Sequence, residues 1–171
     1  MISSKTIRIR YVEESDAEFI LKLRLDERYN QFLSQVNGDL ESQKLWIRTY
    51  KKDELNGKQF YFIIERLDGT PCGTVRLYDF RDDSFCWGSW ILNEDKTRYS
   101  AIESALMIYD FGFNTLKFNQ SHFEVIKDNI KVVNFHKKFG AKQISEDEDN
   151  YYFNITKDAV QQSRNKFKGI L

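Results

Sequence analysis

The sequence predicts a mixed α/β (α+β) fold, a single sheet of about seven strands flanked by helices. Three observations carry this. An alternating strand-like run precedes a capped helical stretch at the start, three strand-like runs follow one another across short turns in the middle, and helix and strand alternate after residue 100. The first half is therefore expected to be antiparallel and the second to contain crossovers. With 171 residues, the chain is long enough for one core that buries roughly 70% of its unfolded surface, so one domain over residues 1–171 is expected.

TIRIRY, from Thr6 to Tyr11, alternates as a strand does, and SDAE at 15–18 has the form of a capping box opening a helix towards Arg24. The stretch 25–39 is polar and irregular. LESQKLWIRTYKK then carries Trp46, Ile47 and Tyr50 at helical spacing, and Asn56-Gly57 ends that helix. QFYFIIE, TVRLYDF and SFCWGSWIL are three strands, separated by the turns LDGTPCG, which holds the only proline, Pro71, and RDD. AIESALMIYDFGF places Ile102, Ala105, Leu106, Tyr109 and Phe113 on one helical face. SHFEVI is a strand with Phe123 and Val125 inward. DNIKVVNFHKKFGA has an Asp or Asn start, Val132, His136 and Phe139 at helical spacing, and Gly140 as its stop. AKQISE and NYYFNI are strands around the acidic turn DEDN, and the tail from Thr156 is helical or frayed.

Composition narrows the function. The 26 basic and 26 acidic side chains cancel, which argues against a nucleic-acid or membrane partner. The first 25 residues mix charges, and no apolar run approaches the ~20 residues of a membrane span, so a cytoplasmic protein without signal peptide is expected. Cys72 and Cys86 lack metal-ligand spacing and read as free thiols, with no metal expected. In "LNEDKTRYSAIESALMIYDFGF", residues 92–113, a strand gives way to a polar burst and then a helix. Two readings stay open for the burst: Ser100 and Glu103 form a capping box, or the helix start offers N–H groups to a phosphate, with Lys96 and Arg98 adding positive charge.

The element order, with "GTVRLYDF" into "SFCWGSWIL", the helix "AIESALMIYDFGF" and "VIKDNIKVVNFHKKFGA" with Asn129, His136 and Gly140 in register, resembles the GCN5-related N-acetyltransferase (GNAT) superfamily over nearly the whole chain. The pattern is nearest to RimJ/RimL-type enzymes and transferases of nucleotide-linked amino sugars. The resemblance implies acetyl-CoA as cosubstrate, lying in an opening where the fourth and fifth predicted strands, SFCWGSWIL and SHFEVI, splay apart. It implies that the backbone of Trp90, Ile91 and Leu92 pairs with the pantetheine amides, with a bulge near Gly88 and Ser89. It also implies that the loop TRYSA, from Thr97 through Arg98, Tyr99 and Ser100 to Ala101, takes the diphosphate on N–H groups of Arg98 to Ala101. That loop lacks the spaced glycines common in the family, but a helix start presents N–H groups whatever its side chains. Asn129 and Phe135 are implied cofactor contacts.

His136 stands where relatives often carry a tyrosine acting as general acid; its alternatives are a CoA contact or a buried core residue. His122 reads as structural. Asn30, Tyr78, Trp87 and Ser89 are the expected substrate contacts, on a side crowded by the aromatic faces of Tyr29, Trp46, Tyr78, Trp87 and Tyr99. Relatives often place a glutamate base on the fourth strand, whereas FCWGSW offers only the uncharged Cys86 and Ser89. Freeing the lone pair of an amine of pKa ~10.4 at pH 7 costs about 4.6 kcal/mol, against about 1.4 for an amine near pKa ~8. The expected function is therefore direct acetyl transfer, in a ternary complex, to a low-pKa primary amine. The resemblance puts a nucleotide-linked amino sugar first, and the alternatives are a protein or peptide N-terminus or a non-catalytic acyl-CoA-binding role. The partners expected are the small amine and, at most, a second copy of the chain, giving a monomer or homodimer.

Overall fold

A computed structural model describes residues 1–36 and 38–169. The chain packs as two units, Met1–Tyr78 with Gly88–Ser104 and Asp79–Trp87 with Ala105–Leu171. The elements are β1 (Ile2–Ser3), β2 (Ile7–Tyr11), α1 (Ala17–Leu25), α2 (Leu40–Leu55), β3 (Phe60–Arg66), β4 (Pro71–Arg81), β5 (Ser84–Leu92), α3 (Ser100–Asp110), β6 (Gln120–Ile126), α4 (Ile130–Phe139), β7 (Lys142–Glu146), β8 (Asn150–Thr156) and α5 (Lys157–Lys166). Eight strands replace the expected seven because a two-residue β1 pairs with β2, a run too short to carry a periodicity.

In the first unit the strands lie in the order β1 to β5, and the β1–β2, β2–β3 and β3–β4 ladders are antiparallel. β3 is buried on both faces from Tyr61 to Glu65. Val12, Ala17, Ile20, Ile47, Tyr50, Tyr61 and Ile63 form one apolar cluster that joins α1 and α2 to the sheet. The helix starts differ from expectation. Asp16 turns its carboxylate to the Glu13 N–H at 2.8 Å, so the chain enters α1 through a short 3-10 turn at Glu14–Asp16 instead of a Ser15–Glu18 box. Asp39 caps α2 by accepting from the Glu41 N–H at 2.9 Å. Residue 37, within the expected polar stretch, lies outside the described residues. Pro71 opens β4 instead of sitting in the turn; the first residue of a strand tolerates a missing N–H.

The second unit holds the start of β5, then β6, β8 and β7 in spatial order. β5 and β6 run parallel, with Ser84 opposite Gln120 and Phe85 opposite Ser121, while β6 and β8 pair antiparallel from Gln120↔Thr156 to Ile126↔Asn150. After α3 a wide turn at Phe111–Thr115 carries Gly112 against Phe85, where an added Cβ would lie 2.2 Å from the ring. On α4 the buried positions are Val133, His136 and Phe139, so Val133 takes the inward place expected of Val132. Gly140 closes this helix with φ +106°. The tail is helical: Thr156 caps α5 by accepting from the Ala159 N–H at 3.2 Å, and Ser163 donates to the Phe139 carbonyl.

Candidate active site

Within the first unit β5 is the last strand, and its backbone direction follows from two observations. The Asn93 N–H donates to the Cys72 carbonyl of β4 at 2.8 Å, and a Cβ on Gly73 would sit 2.1 Å from the Ile91 carbonyl oxygen. Residues 91 and 93 therefore turn their peptide groups to β4. Because these directions alternate along a strand, Trp90 and Leu92 turn theirs away from it. The sequence assigned Trp90, Ile91 and Leu92 together; the geometry separates Ile91 from the other two. Nearby the backbone is irregular. Ser89 has φ +48°, its carbonyl accepts from Thr74 Oγ1 at 2.9 Å, and a Cβ on Gly88 would meet Tyr78 Oη at 2.9 Å.

The polar burst folds back on itself. Ser100 Oγ accepts from the Thr97 N–H at 2.8 Å, and the Ser100 N–H returns to the Thr97 carbonyl at 3.2 Å. The expected capping box is replaced: the buried Glu103 carboxylate accepts from the Thr6 N–H at 2.7 Å and from Thr6 Oγ1. Ser100 is thus an internal strut, and its N–H points back into the loop. Arg98 is exposed, with its guanidinium 5.2 Å from the centre of the Tyr99 ring. Neither Arg98 nor the exposed Lys96 has a carboxylate partner among the described residues. Trp90 Nε1 donates to Ser104 Oγ at 3.1 Å, tying β5 to the second turn of α3.

A cavity of about 380 Å³ opens in the first unit, lined by Ile20 and Arg24 of α1, Ser34 to Val36, Ser42, Gln43 and Trp46 of α2, Tyr61, Arg76 and Ser89. Among the expected substrate contacts only Ser89 lines it. Asn30 donates its side-chain amide to the Arg24 carbonyl at 3.2 Å, and Tyr78 stacks beneath the Arg76 guanidinium at 4.2 Å. Arg24 and Arg76 escaped the sequence reading. The available signal was a charged residue inside the apolar run TVRLY, and an arginine one turn after the inward-facing Ile20.

The remaining assignments fall in the second unit. Trp87 is buried, donates to Tyr109 Oη at 3.2 Å and packs edge-on against His136 at 5.4 Å. His136 lies among Trp87, Phe123, Phe135 and Phe153, with Phe123 closest at 4.3 Å. Burial penalises the charged ring and pushes its pKa down to about 3. An imidazole held neutral in this way is a poor general acid at pH 7, so of the three roles open to His136 the surroundings favour the core residue. Asn129 precedes α4 and is half-buried; its carbonyl accepts from the Val133 N–H at 3.0 Å. Phe135 stacks on Phe139 at 5.5 Å. His122 bridges Ser84 Oγ at 2.5 Å and Asp79 Oδ2 at 3.1 Å. Cys72 and Cys86 are buried and form no disulfide with each other. Among the described residues no helix is long and apolar enough to cross a membrane.

The burial of His136 has a measurable consequence. A group with a folded pKa depressed from ~6.5 contributes stability that is present above pH 6.5 and lost as the pH falls towards 3, because the unfolded chain binds the proton first. Between pH 7 and pH 5 the native protein should lose about 2 kcal/mol through this one residue. His136→Phe should flatten that slope in urea titrations; an unchanged slope would mean that the ring is protonated in the fold.

The sequence profile described as an acetyltransferase (GNAT) domain matches residues 6–142. No curated protein matches the sequence. Among solved structures, one described as apo FdhC, a nucleotide-linked sugar GNAT, is 52% identical with a TM-score of 0.90, covering 98% of this chain and 96% of that one. The ribosomal-protein-S5-alanine acetyltransferase of Vibrio fischeri is 15% identical with a TM-score of 0.79, covering 92% of this chain and 96% of that one. A spermidine N-acetyltransferase chimera of Vibrio cholerae SpeG and hSSAT is 18% identical with a TM-score of 0.74, covering 92% and 99%; these last two share the fold. With the profile spanning most of the sequence and a GNAT structure more than half identical over nearly all of it, the chain belongs to the GNAT family of N-acetyltransferases.

Proposed function

We propose that this N-acetyltransferase moves the acetyl group of acetyl-CoA to the primary amine of a nucleotide-linked amino sugar, by direct attack in a ternary complex within a single catalytic domain. The observation that carries the acceptor class is the cavity beside Ser89, which has no carboxylate among its described lining residues. A strongly basic amine or a polyamine would find no counter-charge there, and no base to release its proton. An amine of pKa near ~8 needs neither, since about a tenth of it is already neutral at pH 7. The 52% identical neighbour, described as acting on a nucleotide-linked sugar, points the same way.

Acetyl-CoA fits this reading as an added strand along β5, with pantetheine amides facing Trp90 and Leu92 and the diphosphate at the start of α3 beside Lys96 and Arg98. The Arg98, Tyr99 and Ala101 N–H groups are the phosphate donors in this reading; that of Ser100 serves the Thr97 carbonyl. Asn129 and Phe135 as cofactor contacts rest on the family resemblance. In the reaction the amine nitrogen bonds to the thioester carbonyl carbon, the C–S bond breaks, the ammonium proton passes to solvent and the thiolate takes a proton from water. His136 shapes the aromatic core in this scheme. Calorimetry with CoA and acetyl-CoA tests the first half. Binding below millimolar ligand is expected, and its absence would remove the transferase reading. Turnover of any amine dismisses a purely acyl-CoA-binding role.

A further inference from the structure

We propose that Arg24 and Arg76 form a two-cation clamp for the diphosphate of the acceptor, making them the residues that select an anionic, nucleotide-linked amine over a free or cationic one. This rests on the transferase reading for the identity of the acceptor, but the anion site stands on its own geometry. Both arginines line the same cavity. Each keeps a buried Nε donor without an acceptor among the described residues, and neither has a carboxylate partner there. The partners they do have are neutral. Arg24 Nη2 donates to the Ser34 carbonyl at 2.9 Å and to Ser34 Oγ at 2.8 Å, while Arg76 lies over Tyr78 at 4.2 Å and Trp46 at 5.9 Å.

Two half-buried cations facing one cavity without counter-charge raise the energy of the empty site, because each loses hydration and repels the other. The effect is visible at Arg24, whose pKa is lowered by burial first and by the charge of Arg76 as a smaller cause. A group with two negative charges and several acceptor oxygens relieves the repulsion and satisfies both Nε donors. A planar guanidinium suits phosphate oxygens better than a lysine ammonium does, since two of its N–H groups can meet two oxygens at once. Trp46 and Tyr61 add flat apolar faces to the same lining, which fit the sugar or base on either side of a diphosphate. Polyamines are excluded by the same charge.

The test uses inorganic pyrophosphate as the probe, titrated calorimetrically into protein already saturated with CoA, so that the cofactor's own diphosphate site is filled. The wild-type protein should bind pyrophosphate and not spermidine. Arg24→Gln and Arg76→Gln should each weaken pyrophosphate at least tenfold while leaving CoA affinity unchanged, and Arg76→Lys, which keeps the charge but not the planar fork, should fall between. Thermal unfolding identifies any glutamine variant that fails to fold, in which case the lysine variant carries the comparison. Pyrophosphate that fails to bind the CoA-loaded protein, or binds all variants equally, overturns the clamp and leaves the transferase reading intact. If CoA itself does not bind, the transferase reading falls, and the arginine dependence of pyrophosphate binding decides the clamp by itself.

Discussion

Replacing Glu65 by alanine should destabilise the protein by about 3 kcal/mol, a fall in Tm of roughly 6–12 °C for a chain of this size. Glu65 is 5% exposed and sits directly across from Arg8 in the β2–β3 ladder. Its two oxygens accept from Arg8 Nε at 2.6 Å and Arg10 Nε at 3.1 Å. Arg10 in turn grips Asp16 with two bonds, at 2.9 and 2.8 Å, and the Asp16 bond is the largest cause holding its guanidinium charged. The carboxylate is thus the centre of a cross-strand network that also fixes the entry to α1. Its removal leaves Arg8 without a carboxylate partner among the described residues and Arg10 with only its bonds to Asp16 and the Tyr11 carbonyl, in a half-buried setting where water replaces the lost bonds poorly. Glu65→Gln, which keeps an acceptor, should lose less. Equal stability of the alanine variant and the parent in urea unfolding would show that the network contributes nothing net.

Gly73→Ala should cost about 3 kcal/mol and weaken CoA binding at least tenfold. The obstruction is backbone: the new Cβ would stand 2.1 Å from the Ile91 carbonyl oxygen, which cannot swing aside as a side chain does. Either β4 or β5 must shift, and with it the directions of Trp90 and Leu92 and the Trp90 link to Ser104. Calorimetry with CoA, beside thermal unfolding, separates the two effects. A Gly73→Ala protein with parental Tm and CoA affinity would contradict the account of β5 as a strand held by close approach to β4.

The elements whose residues face one way along a regular period were legible in the sequence. β5 occupies Ser84–Leu92, the same residues as the SFCWGSWIL run, and Gly140 closes α4 where the glycine signal predicts. The misses have local causes. Ser100 and Glu103 have capping-box spacing, but Thr6, 97 residues away from Glu103 in sequence, claims the carboxylate, and no local pattern reports so distant a partner. Val132 and Val133 are interchangeable in composition, and only packing decides which turns inward. The family was readable from whole-chain order. Arg24 and Arg76 were not singled out, because an arginine in an apolar run is as easily an exposed face as a cavity wall, and the difference depends on residues brought together from α1, α2, β3, β4 and β5.

The central claim is tested most directly by one competition: the purified protein, saturating acetyl-CoA, and equal concentrations of a nucleoside-diphosphate-linked amino sugar, the corresponding free amino sugar, spermidine and a peptide with a free N-terminus, with the acetylated products measured by mass spectrometry. The account predicts that the nucleotide-linked product dominates the early time points. Dominance of acetylated spermidine or peptide, or no acetylated product at all, would contradict it.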